Sequence, residues 1–141
     1  MDITLERYTY SQLAQLYPAI HDQVFDEQYK AQQPSIIYLI FDGEEKKYVG
    51  FLSGYYQDAI SFYIQRIGIP RENRGKQRIF GLLRGIEKHL ISYGHKFLIG
   101  NVEASNNITL LIALRDGWHI SGMHTDTSGT LYVRIIKKLE E

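Results

Sequence analysis

Cysteine is absent from this sequence, which excludes disulfides, thiolate metal sites and a cysteine nucleophile together and is compatible with a reducing compartment. A zinc ion would have to be held by histidine and carboxylate alone. The five histidines are scattered, and His119 and His124, in one strand, are expected to face opposite ways, so no metal site is expected. An excess of charge of either sign is missing too. Sixteen Lys and Arg balance sixteen Asp and Glu, so the chain lacks the whole-molecule positive field of a dedicated nucleic-acid binder. No stretch reaches the roughly 18 apolar residues of a membrane span. Met1-Asp2-Ile3-Thr4-Leu5-Glu6 shows no basic region leading into an apolar run, and a cytoplasmic location is expected. With three prolines and no repeat or low-complexity run, there is no linker signal. What is present is 141 residues, 44% of them hydrophobic, enough to bury one sizeable core and too few for two ordinary domains. Residues 1–141 are read as a single domain.

The apolar periodicity alternates between strand and helix. Ile3 to Tyr8 reads as a strand, and Ser11 offers an N-cap to a helix carrying Leu13, Leu16, Ile20 and Val24, which Pro18 should kink or restart. Ser35 to Phe41 is a β-branched and aromatic run closed by Asp42-Gly43, a hairpin signal. Strands over Tyr48 to Tyr56 and Ile60 to Ile69 follow, with a turn near Gln57-Asp58. Ile79, Leu82, Leu83, Ile86 and Leu90 have the spacing of an amphipathic helix that Gly94 ends. Phe97 to Val102 is a buried strand, Asn106 or Asn107 caps a helix through Ile108, Leu111, Ile112 and Leu114, and Asp116-Gly117 ends it. Trp118 to Met123 and Thr130 to Ile136 close as a hairpin. The crossover from the Ile60 strand through a helix to the Phe97 strand should make those two strands parallel.

That crossover concentrates the chemistry. A polar loop running from a strand into a helix offers unpaired N–H groups and a positive dipole end to an anion. Arg66, Arg71, Arg74, Lys76 and Arg78 gather there in an otherwise neutral chain, which suits a phosphate.

The segment Ile69-Pro70-Arg71-Glu72-Asn73-Arg74-Gly75-Lys76-Gln77-Arg78-Ile79-Phe80-Gly81-Leu82-Leu83, followed by Asn106 and Asp116-Gly117-Trp118, resembles the GNAT superfamily of N-acetyltransferases. The resemblance in element order covers nearly the whole chain; the specific motif spans about a dozen residues at the loop. It implies an α/β (α+β) fold with a mixed, mostly antiparallel sheet of six to seven strands, a splayed parallel strand pair and flanking helices. It also implies that acetyl-CoA is a cosubstrate. Its pyrophosphate would lie along Arg74, Gly75, Lys76, Gln77, Arg78 and Ile79, its pantetheine arm would pair with the backbone at Ile67 and Ile69, and Asn106 would cap the last helix near that arm. No metal is implied.

The family pattern is departed from in two places. Gln77 and Ile79 stand where glycine, and glycine or alanine, are usual, and Ala113 stands where many members carry a tyrosine general acid. A thiol leaving group with a pKa of about 8.5 departs as thiolate without that acid, so transfer needs chiefly a neutral amine in line with the thioester, a proton acceptor and oxyanion donors. Glu103, at the carboxyl end of the Phe97 strand, is the first choice of base; Tyr63 and Tyr132 are alternatives. No covalent nucleophile is recognisable, which favours direct transfer to an amine of a small molecule or protein. Two other readings stay open: a catalytically impaired CoA-binding or interaction module, and a domain whose strand tyrosines stack single-stranded nucleic acid beside the basic loop. The tyrosines and the C-terminal hairpin are also compatible with a homodimer.

Overall fold

A computed structural model describes residues 3–24, 36–70 and 79–140. The chain runs β1 (Ile3–Tyr8), α1 (Tyr10–Leu16), α2 (Pro18–Val24), β2 (Ile36–Asp42), β3 (Lys47–Tyr56), β4 (Ser61–Gly68), α3 (Ile79–Ser92), β5 (Phe97–Glu103), α4 (Asn107–Arg115), β6 (His119–Thr125) and β7 (Leu131–Lys138). It divides into two compact units, Met1–Tyr55 with Gln65–Ile86 and Tyr56–Ile64 with Glu87–Glu141, so β4 supplies residues to both. The strand order is β1-β2-β3-β4 in the first and β4-β5-β7-β6 in the second, seven strands among the described residues. The mixed sheet with one parallel pair is as the sequence predicts. Among the described residues no helix is long and apolar enough to cross a membrane.

In the first unit, β1 and β2 pair antiparallel from Ile3↔Asp42 to Tyr8↔Ile37, and β2 pairs antiparallel with β3. Leu13, Ile37, Leu39 and Phe51 form a buried cluster, with Tyr8, Tyr10, Tyr17, Ile20, Phe41 and Tyr48 packed around it. The entry to α1 differs from the sequence expectation. Thr9, not Ser11, is the N-cap: its hydroxyl accepts from the Gln12 N–H at 3.1 Å while the Gln12 side chain accepts from the Thr9 N–H at 2.9 Å. This reciprocal capping box satisfies two helix-end donors at once. Leu13 is fully buried and Leu16 is 61% exposed, so the inward face of α1 is narrower than the spacing implies. Pro18 restarts the chain as the first residue of α2, where its missing N–H costs nothing. The Asp42-Gly43 turn forms with the Asp42 carboxylate accepting from the Glu44 N–H at 3.0 Å.

The end of β4 in this unit is shaped by one aromatic ring. A Cβ on Gly68 would stand 2.4 Å from Cε1 of Phe51, and one on Gly50 would stand 2.7 Å from Leu82 Cδ2 and 3.0 Å from the Gly68 carbonyl. Gly68 is therefore required by close packing, and Phe51 also carries the Arg66 guanidinium over its ring at 5.6 Å.

In the second unit, β4 and β5 are parallel and β5, β7 and β6 are antiparallel. Gly94 (φ +96°) and Gly117 (φ +91°) stop α3 and α4 in the left-handed conformation that glycine adopts without penalty. Lys137 on β7 ties these elements together, with Nζ 2.6 Å from Glu87 of α3 and 3.2 Å from Asp116 just after α4. Helix α4 shows apolar residues on more than its inward side. Ala113 is fully buried, whereas Ile108, Leu111, Ile112 and Leu114 are 75%, 51%, 38% and 45% exposed. The apolar spacing finds this helix without finding its buried face. A bulge in β6 between Ile120 and Gly122 corrects the histidine expectation: His119 stands opposite Ile136 and His124 opposite Tyr132, which puts both on one face of the sheet.

Adding a methyl group at Gly68 must displace Phe51. Gly68→Ala is expected to cost about 1–3 kcal/mol in urea unfolding, and the double variant Gly68→Ala/Phe51→Leu to recover part of that loss.

Candidate active site

The parallel ladder of β4 and β5 is short. It runs Ser61↔Phe97, Phe62↔Leu98, Tyr63↔Ile99, while β5 continues through Gly100 and Asn101 to Glu103 with β7 on its other side. Side chains alternate along a strand, and directly paired residues share a face. One face of this unit accordingly carries Leu98, Val102, Val133, Ile135 and Lys137, the last bonded to Glu87 and Asp116, and is the packed side. The other carries the buried Ile99 and the half-buried Ile136 at the start of β5 and, with them, Tyr63, Asn101, Glu103, Tyr132, Arg134 and His124, which make a polar row towards the end of the strand.

The row is held by its own bonds. The Asn101 side-chain amide donates to the Tyr63 hydroxyl, linking β5 to β4 just past the last ladder pair. Arg134, opposite Asn101, donates to the Gln57 side chain at 2.7 Å. Glu103 is exposed and stands opposite Tyr132, whose ring stacks on His124 with centroids 5.5 Å apart. Burial of its surroundings, and after that the negative charges of Asp126 and Glu103, push the Tyr132 phenol above its ordinary value. Asp126 belongs to the turn before β7. Its carboxylate accepts from the Ser128 hydroxyl at 2.6 Å, the Ser128 N–H at 2.9 Å and the Thr130 N–H at 3.0 Å, and the Ser128 hydroxyl leads the bonds that hold it below the usual carboxylate range.

The residues expected at the cofactor are distributed as follows. Arg74, Gly75, Lys76, Gln77 and Arg78 lie outside the described residues. Ile79 opens α3; Ile67 is half-buried in β4 and Ile69, just after it, is buried. Asn106 is the N-cap of α4, its Oδ1 accepting from the Thr109 N–H at 3.2 Å. The backbone carbonyl of Ala113 accepts from Asp116 and Trp118 at 3.0 Å each, closing the end of α4. Glu103 and Tyr63 do fall on one face, at the end and the start of the polar row. Asn101 is the member that sequence reasoning passes over. Its signal is the polar alternation at the end of β5, where Asn101 and Glu103 interrupt an otherwise apolar strand.

The end of the parallel ladder is chemically suited to an extended, amide-bearing chain, because a strand edge offers backbone donors and acceptors in series. The pantetheine arm of coenzyme A is such a chain.

No family model and no curated protein matches the sequence. Solved structures do. A spermidine N-acetyltransferase chimera from Vibrio cholerae and hSSAT is similar over 99% of this chain and 96% of its own, with a TM-score of 0.68 at 12% identity. A GNAT family acetyltransferase from Elizabethkingia anophelis with acetyl-CoA bound is similar over 98% and 99% of the two chains (TM-score 0.63, 17% identity). An IAA acetyltransferase from Bacillus cereus is similar over 97% and 99% (TM-score 0.63, 17% identity). The chain has the fold of the GNAT acetyltransferases.

A carboxylate with a lowered native pKa stabilises the fold above its unfolded value of about 3.9, and that stabilisation is lost as pH falls through the native value. Asp126→Asn should therefore lower the melting temperature near neutral pH. The difference from the parent should shrink as both proteins are taken below about pH 3, which thermal melts across pH will read.

Proposed function

We propose that the protein is an acetyl-CoA-dependent N-acetyltransferase that passes the acetyl group directly to an amine of a small molecule or protein. The observation that carries the reading is the short parallel ladder ending at Tyr63↔Ile99 beside a polar row that includes Glu103, in a chain with the GNAT fold. Acetyl-CoA supplies the activated acyl group and a thiol that leaves as thiolate. Arg74, Gly75, Lys76, Gln77, Arg78 and Ile79 hold its pyrophosphate through backbone N–H groups and cationic side chains at the start of α3, and the backbone at Ile67 and Ile69 takes the pantetheine arm as an added strand. Asn106, the N-cap of α4, is the remaining residue assigned to the cofactor.

Glu103 is the general base. As the amine nitrogen bonds to the acyl carbon and the C–S bond breaks, the carboxylate takes the proton the nitrogen loses, directly or through one water. Its exposure suits an acceptor that arrives from solvent. Tyr63 helps to orient the row, and Tyr132, whose phenol is pushed up by desolvation and then by the charges of Asp126 and Glu103, is less suited to the same task. The lack of cysteine fits a cytoplasmic setting.

A second reading, a CoA-binding module without turnover, is favoured by Ala113, whose full burial leaves no acid at the family's tyrosine position. Two measurements separate the readings. Calorimetric titration with acetyl-CoA should show binding that the double variant Arg74→Glu/Lys76→Glu loses; unchanged binding in that variant removes the loop from the site. In a thioester-consumption assay over a panel of amines, Glu103→Gln should lower kcat by about 100-fold or more with little change in acetyl-CoA affinity. Binding with no turnover for any amine leaves the module reading in place.

A further inference from the structure

The polar row contains one atom that the fold leaves unsatisfied. Asn101 Oδ1 is shut off from solvent and has no hydrogen-bond partner among the described residues. A shielded acceptor without a donor is destabilising, and a donor on a bound ligand removes that cost. Its identity is set by the other end of the same amide. Nδ2 donates to the Tyr63 hydroxyl, which leaves Oδ1 as the end free to accept. The requirement on the ligand is an N–H or O–H donor.

Two residues along β5, on the same face, stands Glu103, about 6.6 Å away along the strand. An acceptor fixed beside a carboxylate matches the needs of an amine at the moment of attack. A neutral primary amine has a lone pair and two N–H bonds: the lone pair goes to the acyl carbon, one N–H is the proton given up, and the second is free to be held. A secondary amine has a single N–H for both purposes. Resting on the acetyltransferase reading, we infer that Asn101, locked by Tyr63, is the residue that binds the acceptor, taking through Oδ1 the N–H that a primary amine retains.

The test uses coenzyme A conjugates that carry the acceptor position in the same molecule, so no acceptor need be known. One bears S–CH2–CO–NH–propyl and the other its ester, S–CH2–CO–O–propyl, which lacks the N–H. The protein should bind the amide about tenfold tighter than the ester or better. Asn101→Leu should bind the two alike while keeping its affinity for plain coenzyme A. Tyr63→Phe, which keeps the ring and removes only the anchor, should reduce the preference without touching coenzyme A affinity, and it decides the matter should the leucine variant fail to fold. Equal binding of amide and ester by the unaltered protein overturns the inference. So does a loss of plain coenzyme A affinity in Asn101→Leu, which would assign Oδ1 to a pantetheine amide. A protein that binds neither conjugate nor coenzyme A takes down the acetyltransferase reading and this inference with it, a pattern distinct from tight coenzyme A binding without an amide preference.

Discussion

Three parallel residue pairs, Ser61↔Phe97 to Tyr63↔Ile99, are the constraint on which the second unit depends. They hold β5 beside β4 only at its start, and from Gly100 to Glu103 the strand is aligned by β7. Parallel ladders need a crossover, and α3 provides it, with Gly94 turning the chain back through a positive φ. Lys137, opposite Leu98 at the start of β5, adds a second tie there, its single ammonium meeting carboxylates from α3 and from the end of α4. These charges are satisfied by one another, on the face of β7 that also buries Val133 and Ile135.

That division of faces is where structure becomes chemistry. The same alternation that buries Val133 and Ile135 directs Tyr132 and Arg134 the other way, and the register with β5 brings Asn101 and Glu103 alongside them. The site is thus a by-product of a core decision made two side chains at a time. The lowered carboxylate of Asp126 and the raised phenol of Tyr132 belong to one electrostatic neighbourhood.

Element order is legible in the sequence because strand and helix periods differ, and Asp42-Gly43, Pro18, Gly94 and Asp116-Gly117 punctuate it at positions that the structure keeps. What escapes is decided by partners rather than by local pattern. Thr9 and Ser11 are both competent caps; Gln12 selects Thr9 by returning its hydrogen bond. The β6 bulge that brings His119 and His124 to one face is marked only by Gly122. The exposed Ile108 and Leu111 of α4 carry a core-like spacing without a core beneath them. In the site, Glu103 and Tyr63 are visible because their strand ends are visible. Asn101 is marked only by the polar alternation it shares with Glu103, and it gains meaning when the fold sets it against Tyr63.

The account stands on acetyl-CoA lying against β4 and the start of α3. Hydrogen exchange with and without acetyl-CoA tests this directly, because an added strand must protect the backbone amides it bonds. Slowed exchange concentrated over Ile67, Ile69 and Arg74 to Ile79 is the predicted result. Exchange unchanged there at saturating acetyl-CoA, or slowed only in other parts of the chain, would contradict it.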